Sequence, residues 1–131
     1  MSDSLSNVYN NLIMAIGSCP EFPENVQIHI GETDSRKSAM SVVVDLDNSK
    51  SRKNICGEWL KAYSLDLFYQ VVAQTDKQKS NVFDLLNNIS NFIVENSKSF
   101  NINWIETVSS AKMIGKNNNG LDVFLTKFLV R

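Results

Sequence analysis

Apolar and polar residues alternate from Ala62 to Ala73: Tyr63, Leu65, Leu67, Tyr69, Val71 and Ala73 occupy one parity, with Ser64, Asp66 and Gln70 between them. A period of two predicts a long strand with one face on a core. Thr75, Asp76, Lys77 and Gln78 follow as a capping box, in which the Thr75 hydroxyl and the Gln78 amide satisfy two of the first free backbone N–H groups of a helix. Beyond it, Val82, Leu85, Leu86, Ile89, Phe92 and Ile93 recur at spacings of three and four. That apolar stripe must be buried, and the sheet face before it is the natural site.

The same logic extends to both ends of the chain. Leu5, Val8, Tyr9, Leu12, Ile13 and Ile16 form a helical stripe, so a first helix is predicted from Ser4 to Gly17, capped by Asp3 or Ser4. Pro20 and Pro23 prevent its continuation. Val26, Ile28 and Ile30 alternate with Gln27 and His29 as a short strand ended by Gly31, and Ala39 to Leu46 forms the next. The polar stretch Glu32 to Ser38 is expected to join them as antiparallel neighbours. Asp47 to Asn54, with no apolar residue, is expected to be a solvated loop, from which Ile55 to Trp59 leads back into the long strand. In the C-terminal third, an extended segment from Ile102 to Ile114 and a strand from Leu121 to Val130 flank an Asn-rich turn at Lys116 to Gly120.

This order predicts an α+β fold: an antiparallel twisted sheet of four to five strands with two helices packed on one face. The length of 131 residues fits a single domain, 1–131. The formal net charge of −1 favours neither nucleic acid nor a membrane surface globally. No apolar run approaches the roughly 20 residues of a membrane span, and Met1 to Asn7 is unlike a secretion signal, so a soluble, unsecreted chain is expected. Cys19 and Cys56 lack metal spacing and are expected to be free thiols.

Candidate chemistry is sparse. His29 is the single histidine and sits on the parity opposite Val26, Ile28 and Ile30, which gives it a surface or structural role. Cys56 has no histidine nearby to make it a nucleophile, and Asp45, Asp47, Asp66 and Asp76 show no paired spacing for acid–base work. There is no glycine-rich phosphate loop. The residues exclude no cofactor by themselves, but they call for none, and an enzyme is not expected.

Two features point instead to contacts. Lys50, Arg52 and Lys53 make a basic cluster that Arg36 and Lys37 on the preceding turn are expected to join. Without interleaved aromatics it suits an acidic protein surface better than nucleic acid. The last strand is apolar on both parities, with Val123, Leu125 and Leu129 on one and Phe124, Phe128 and Val130 on the other. Phe124, Phe128 and Val130, together with Trp59 at the base of the basic cluster and Phe68 and Val72 on the second face of the long strand, suggest an outer sheet face that is either a second layer of core or an intersubunit contact.

The helix Leu5 to Gly17 with its proline bend, the pair Val26 to Leu46, the segment GEWLKAYSLDLFYQVVAQTDKQKSNVFDLLNNISNFI and the two final strands resemble the small tail-terminator and minor capsid proteins of long-tailed bacteriophages. The resemblance covers nearly the whole chain. It implies a structural virion protein, assembled in the host bacterial cytoplasm, whose copies close into a hexameric ring. Such a ring caps the tail tube, stops its polymerisation and joins the tail to the head connector. Its partners are copies of itself, the major tail tube protein and a head-completion protein, and DNA passes through without sequence recognition. Subunit or partner contacts would fall on Asp47 to Gly57, Glu32 to Ser38 and Ile102 to Val130, and include Arg36, Lys37, Lys50, Arg52, Lys53, Trp59, Phe124 and Phe128. A head-closure protein of the same neck is the nearest alternative. A small α+β ligand-binding domain is a further one, although Leu65, Leu67, Tyr69, Leu85, Leu86 and Ile89 would fill its cavity.

Overall fold

The computed structural model describes residues 5–24, 26–31, 36–44, 50–53, 59–102 and 104–130. For 50–53 and 59–62 it describes the backbone course. In chain order the elements are α1 (Leu5–Ser18), β1 (Gln27–Ile30), β2 (Ala39–Val44), β3 (Lys50–Lys53), β4 (Trp59–Val71), α2 (Asp76–Asn96), a short 3-10 turn (Ser97–Phe100), β5 (Ile105–Lys116) and β6 (Asp122–Val130). The fold is α+β. Its strands lie in the order β1-β2-β4-β6-β5, with β3 paired to β4 off that path.

β4 is the centre of the sheet because its alternation gives it one apolar face along most of its length. It pairs antiparallel with β2 from Ala39↔Gln70 to Val44↔Leu65, and with β6 from Val71↔Asp122 to Tyr63↔Val130. These registers put Met40, Val42, Leu65, Leu67, Tyr69, Phe124, Phe128 and Val130 on one face. That face and the stripes Val8, Leu12, Ala15 and Ile16 of α1 and Val82, Leu86, Ile89 and Ile93 of α2 form one buried cluster. Burying a side chain such as Leu86 or Ile89 contributes about 1.5–3 kcal/mol, so packing rather than helix propensity holds both helices on the sheet.

The start of α2 is the predicted one. The Gln78 N–H donates to Thr75 Oγ1 at 3.1 Å, and the Thr75 N–H donates to Gln78 Oε1 at 3.1 Å. At its far end the helix continues past the apolar stripe to Asn96 and tightens into the 3-10 turn. The chain then reverses at Asn101, in a left-handed conformation with φ 59°.

Two sequence expectations are corrected. β1 and β2 are parallel, from Gln27↔Ala39 to Ile30↔Val42, so the sheet is mixed rather than purely antiparallel. A four-residue strand is only about 13 Å long, and the eight residues between Ile30 and Ala39 can run back along it. The second correction concerns the basic loop: Lys50–Lys53 is a strand, antiparallel to β4 from Lys50↔Ala62 to Lys53↔Trp59. Its polar composition hid it, because KSRK has no apolar parity.

β5 departs from regularity in a different way. Its 12 residues run against the 9 of β6, and the register shifts once each between Thr107 and Ser109, Ser109 and Lys112, and Met113 and Gly115. Each shift is a bulge that absorbs one extra residue and turns the strand. Gly115 at the third has φ 138°, a conformation that a side chain would strain.

Candidate assembly surfaces

The residues singled out in the sequence separate into three places. Phe124 and Phe128 are both 0 % exposed and lie inside the core, so their rings are not available to a partner. The reason is the register: they stand opposite Tyr69 and Leu65, on the face that the helices cover. Phe83 of α2 meets Phe124 edge-on, with centroids 5.3 Å apart and planes at 84°. The other parity of β6, Val123, Leu125 and Leu129, lies on the opposite sheet face, where Val123 and Leu129 are half-buried and Leu125 is buried.

Arg36 and Lys37 are exposed on the turn before β2. Gln70 Nε2 donates to the Lys37 carbonyl at 2.6 Å, which ties that turn to the C-terminal half of β4. β3 pairs with the opposite end of β4, Trp59 to Ala62. From Ala62 to Gln70 is about 26 Å of strand, so the two basic groups do not form one cluster.

Lys50, Arg52 and Lys53 lie on β3 and Trp59 on the stretch of β4 that β3 pairs with, in a two-stranded ribbon. β6 ends its pairing at Tyr63 and β2 at Leu65, whereas β3 pairs with residues 59–62. Beyond Tyr63 the described pairing is therefore β3 on β4 alone. The two strands of this ribbon, KSRK and WLKA, carry four cations with Lys61 and no carboxylate.

The outer face of the sheet has Ser41 and Val43 on β2, Ser64, Asp66, Phe68 and Gln70 on β4, and Val123, Leu125, Lys127 and Leu129 on β6. Asp66 and Lys127 are direct cross-strand partners, with Oδ1 and Nζ 4.0 Å apart. Leu125 stands between Phe68 and Lys112 in the register. This face is thus a mixture of apolar and paired charged groups, as in the rim and core of a transient interface.

At one end of the sheet, among the described residues, β5 pairs with β6 alone, and at the other β1 pairs with β2 alone. Val108, Met113 and Ile114 are exposed along β5, with Val108 at 57 %, and Ile30 of β1 is 54 % exposed. Between α2 and β5 lies an open cleft of about 290 Å³ lined by Phe83, Asp84, Asn87, Ser110 and Ala111. The sequence pattern gave no sign of it, because it forms where the second bulge displaces Ser110 and Ala111 from regular pairing.

The remaining candidate groups stay apart. Cys19 is a buried free thiol, and Cys56, Asp45 and Asp47 lie outside the described residues. His29 is half-buried on β1. Among the described residues, no three His, Cys, Asp or Glu side chains gather as a metal site, and no helix is long and apolar enough to cross a membrane. Burial pushes the Tyr69 hydroxyl above its ordinary pKa, as expected for a group on the core face. No protein-family model and no curated protein matches the chain.

Proposed function

We propose that this chain is a structural assembly protein of the tail-terminator kind. Copies close into a hexameric ring that caps the tail tube, stops its growth and presents a surface to the head connector. The observation that carries this reading is the asymmetry of the sheet. It has two unlike edges, β1 and β5, at opposite ends of the strand order, and a cationic ribbon beyond Tyr63. Unlike surfaces on one subunit suit heterologous contacts, which close into a ring when the subunit rotation returns on itself.

The interior supports the same reading. Leu65, Leu67, Leu86 and Ile89 are fully buried between sheet and helix, where a ligand-binding domain would keep a polar cavity. The outer face, by contrast, offers partly buried apolar groups on a rigid sheet to a protein neighbour.

The decisive experiment deletes the gene in its parent phage or prophage and measures tails by negative-stain microscopy. Overlong tubes beside filled, tailless heads are the expected result. Tails of normal length with unjoined heads would move the role to head closure, and normal infectious particles would overturn the assembly reading.

A further inference from the structure

We infer that the cationic ribbon β3–β4 of one copy docks into the α2–β5 cleft of the next, with a Lys or Arg side chain placed against Asp84. The inference rests on the self-assembly proposed above and names the contact that would make it. Three observations carry it. First, the cleft has the chemistry of a cation seat: Asp84 and Asn87 on one wall, Ser110 on the other, and Phe83 and Ala111 as apolar lining. The carboxylate and amide suit an ammonium or guanidinium head, and the apolar lining suits its methylene stem.

Second, its volume of about 290 Å³ is at the lower end of small-molecule pockets, a size that fits the end of a long side chain. Third, the ribbon supplies the complementary charge, four cations and no carboxylate in its two strands. A chain does not serve its own cleft in this way. The ribbon leaves the sheet at Tyr63, while Ser110 and Ala111 lie two strands across, beside the part of β6 that pairs with residues 66–68 of β4. The ribbon runs away from that point. The occupant assigned here is accordingly the ribbon of a second copy, whose charge complements the cleft, and such a contact joins unlike surfaces, as a ring requires.

Charge reversal tests the pairing. The variants R52E/K53E and D84K, and their combination R52E/K53E/D84K, are compared with the wild-type chain by native mass spectrometry and sedimentation. Chain concentrations run up to about 1 mM, which reveals contacts of millimolar strength. The wild-type chain is expected to self-associate, more weakly as salt rises. Each reversal is expected to weaken association at least tenfold. Mixing R52E/K53E with D84K should restore association, because the native ribbon of the second fits the native cleft of the first and the reversed ribbon fits the reversed cleft, so the two variants should assemble in alternation at 1:1 stoichiometry. The combined variant should again self-associate. Formation of the mixed assembly also shows that both variants are folded. Variants that assemble like the wild type overturn the docking and leave the ring reading to the tail-length experiment. A wild-type chain that stays monomeric at the highest concentration overturns the docking as well, and tail lengths, which need no assembly in solution, then decide the ring.

Discussion

The Tyr9 hydroxyl accepts a hydrogen bond from the backbone N–H of Val44 at 2.6 Å, across 35 residues of chain. It ties α1 to the last residue of β2, just before the chain leaves for the ribbon. Tyr9→Phe leaves the ring in place and the Val44 N–H without this acceptor. The expected cost is about 1 kcal/mol, read as a lower urea midpoint with an unchanged slope. Faster hydrogen exchange should be confined to the end of β2.

Asp122 fixes the opposite end of the sheet. It is 1 % exposed, its Oδ2 accepts from the Ala73 N–H at 3.1 Å, and its Oδ1 lies 3.1 Å from the Lys116 Nζ. The hydrogen bond and the ion pair have unequal worth, because the Ala73 N–H is buried whereas the lysine side chain is 59 % exposed. Asp122→Ala is expected to cost about 1.5–3 kcal/mol, and Lys116→Met at most about 1 kcal/mol. Thermal or chemical unfolding of the two variants side by side checks the order.

Thr126 gives a prediction of opposite sign. Its hydroxyl is buried opposite Leu67 with no hydrogen-bond partner, between Phe124 and Phe128 on the core face. Val has nearly the same shape without the polar atom. Thr126→Val is therefore expected to raise stability, by about 0.5–1 kcal/mol. A fall in the unfolding midpoint would mean that the hydroxyl is satisfied in solution.

Tyr69 makes stability depend on alkaline pH. Burial raises its pKa in the folded chain, so above about pH 10 the unfolded chain loses this proton more readily than the folded one. The folded state then holds more protons, and stability must fall as pH rises through that window. Below it, both states keep the proton and the group contributes no slope. Tyr69→Phe should flatten the decline, measured as urea midpoints on either side of about pH 10. An unchanged slope would place its cause in other groups.

The parts of this fold that could be foreseen are those in which several local signals agree. Thr75 and Gln78 form the capping box that their spacing requires, and Tyr63, Leu65, Leu67 and Tyr69 share the face that their parity assigns. What escaped was set by pairing at a distance. The two parities of β6 are equally apolar, so only its register against β4 sends Phe124 and Phe128 inward and Leu125 to the opposite face. The direction of β1 has no local signature, since four alternating residues look the same in parallel and antiparallel sheets. The Asp84 cleft depended on a mismatch in length between β5 and β6 that appears only once the two strands are laid side by side.

That mismatch has a consequence for how the protein behaves in the company of other chains. A strand at the margin of a sheet is an open invitation to any passing chain, and a dozen residues of flat margin would seed fibres in a crowded cell. With bulges starting at Thr107, Ser109 and Met113, β5 offers no long uninterrupted row of donors and acceptors. Stray strands find too short a foothold to stay. The same displaced residues, Ser110 and Ala111, open the cleft beside Asp84, so the interruption that blunts the margin for stray strands also shapes a concave surface on it.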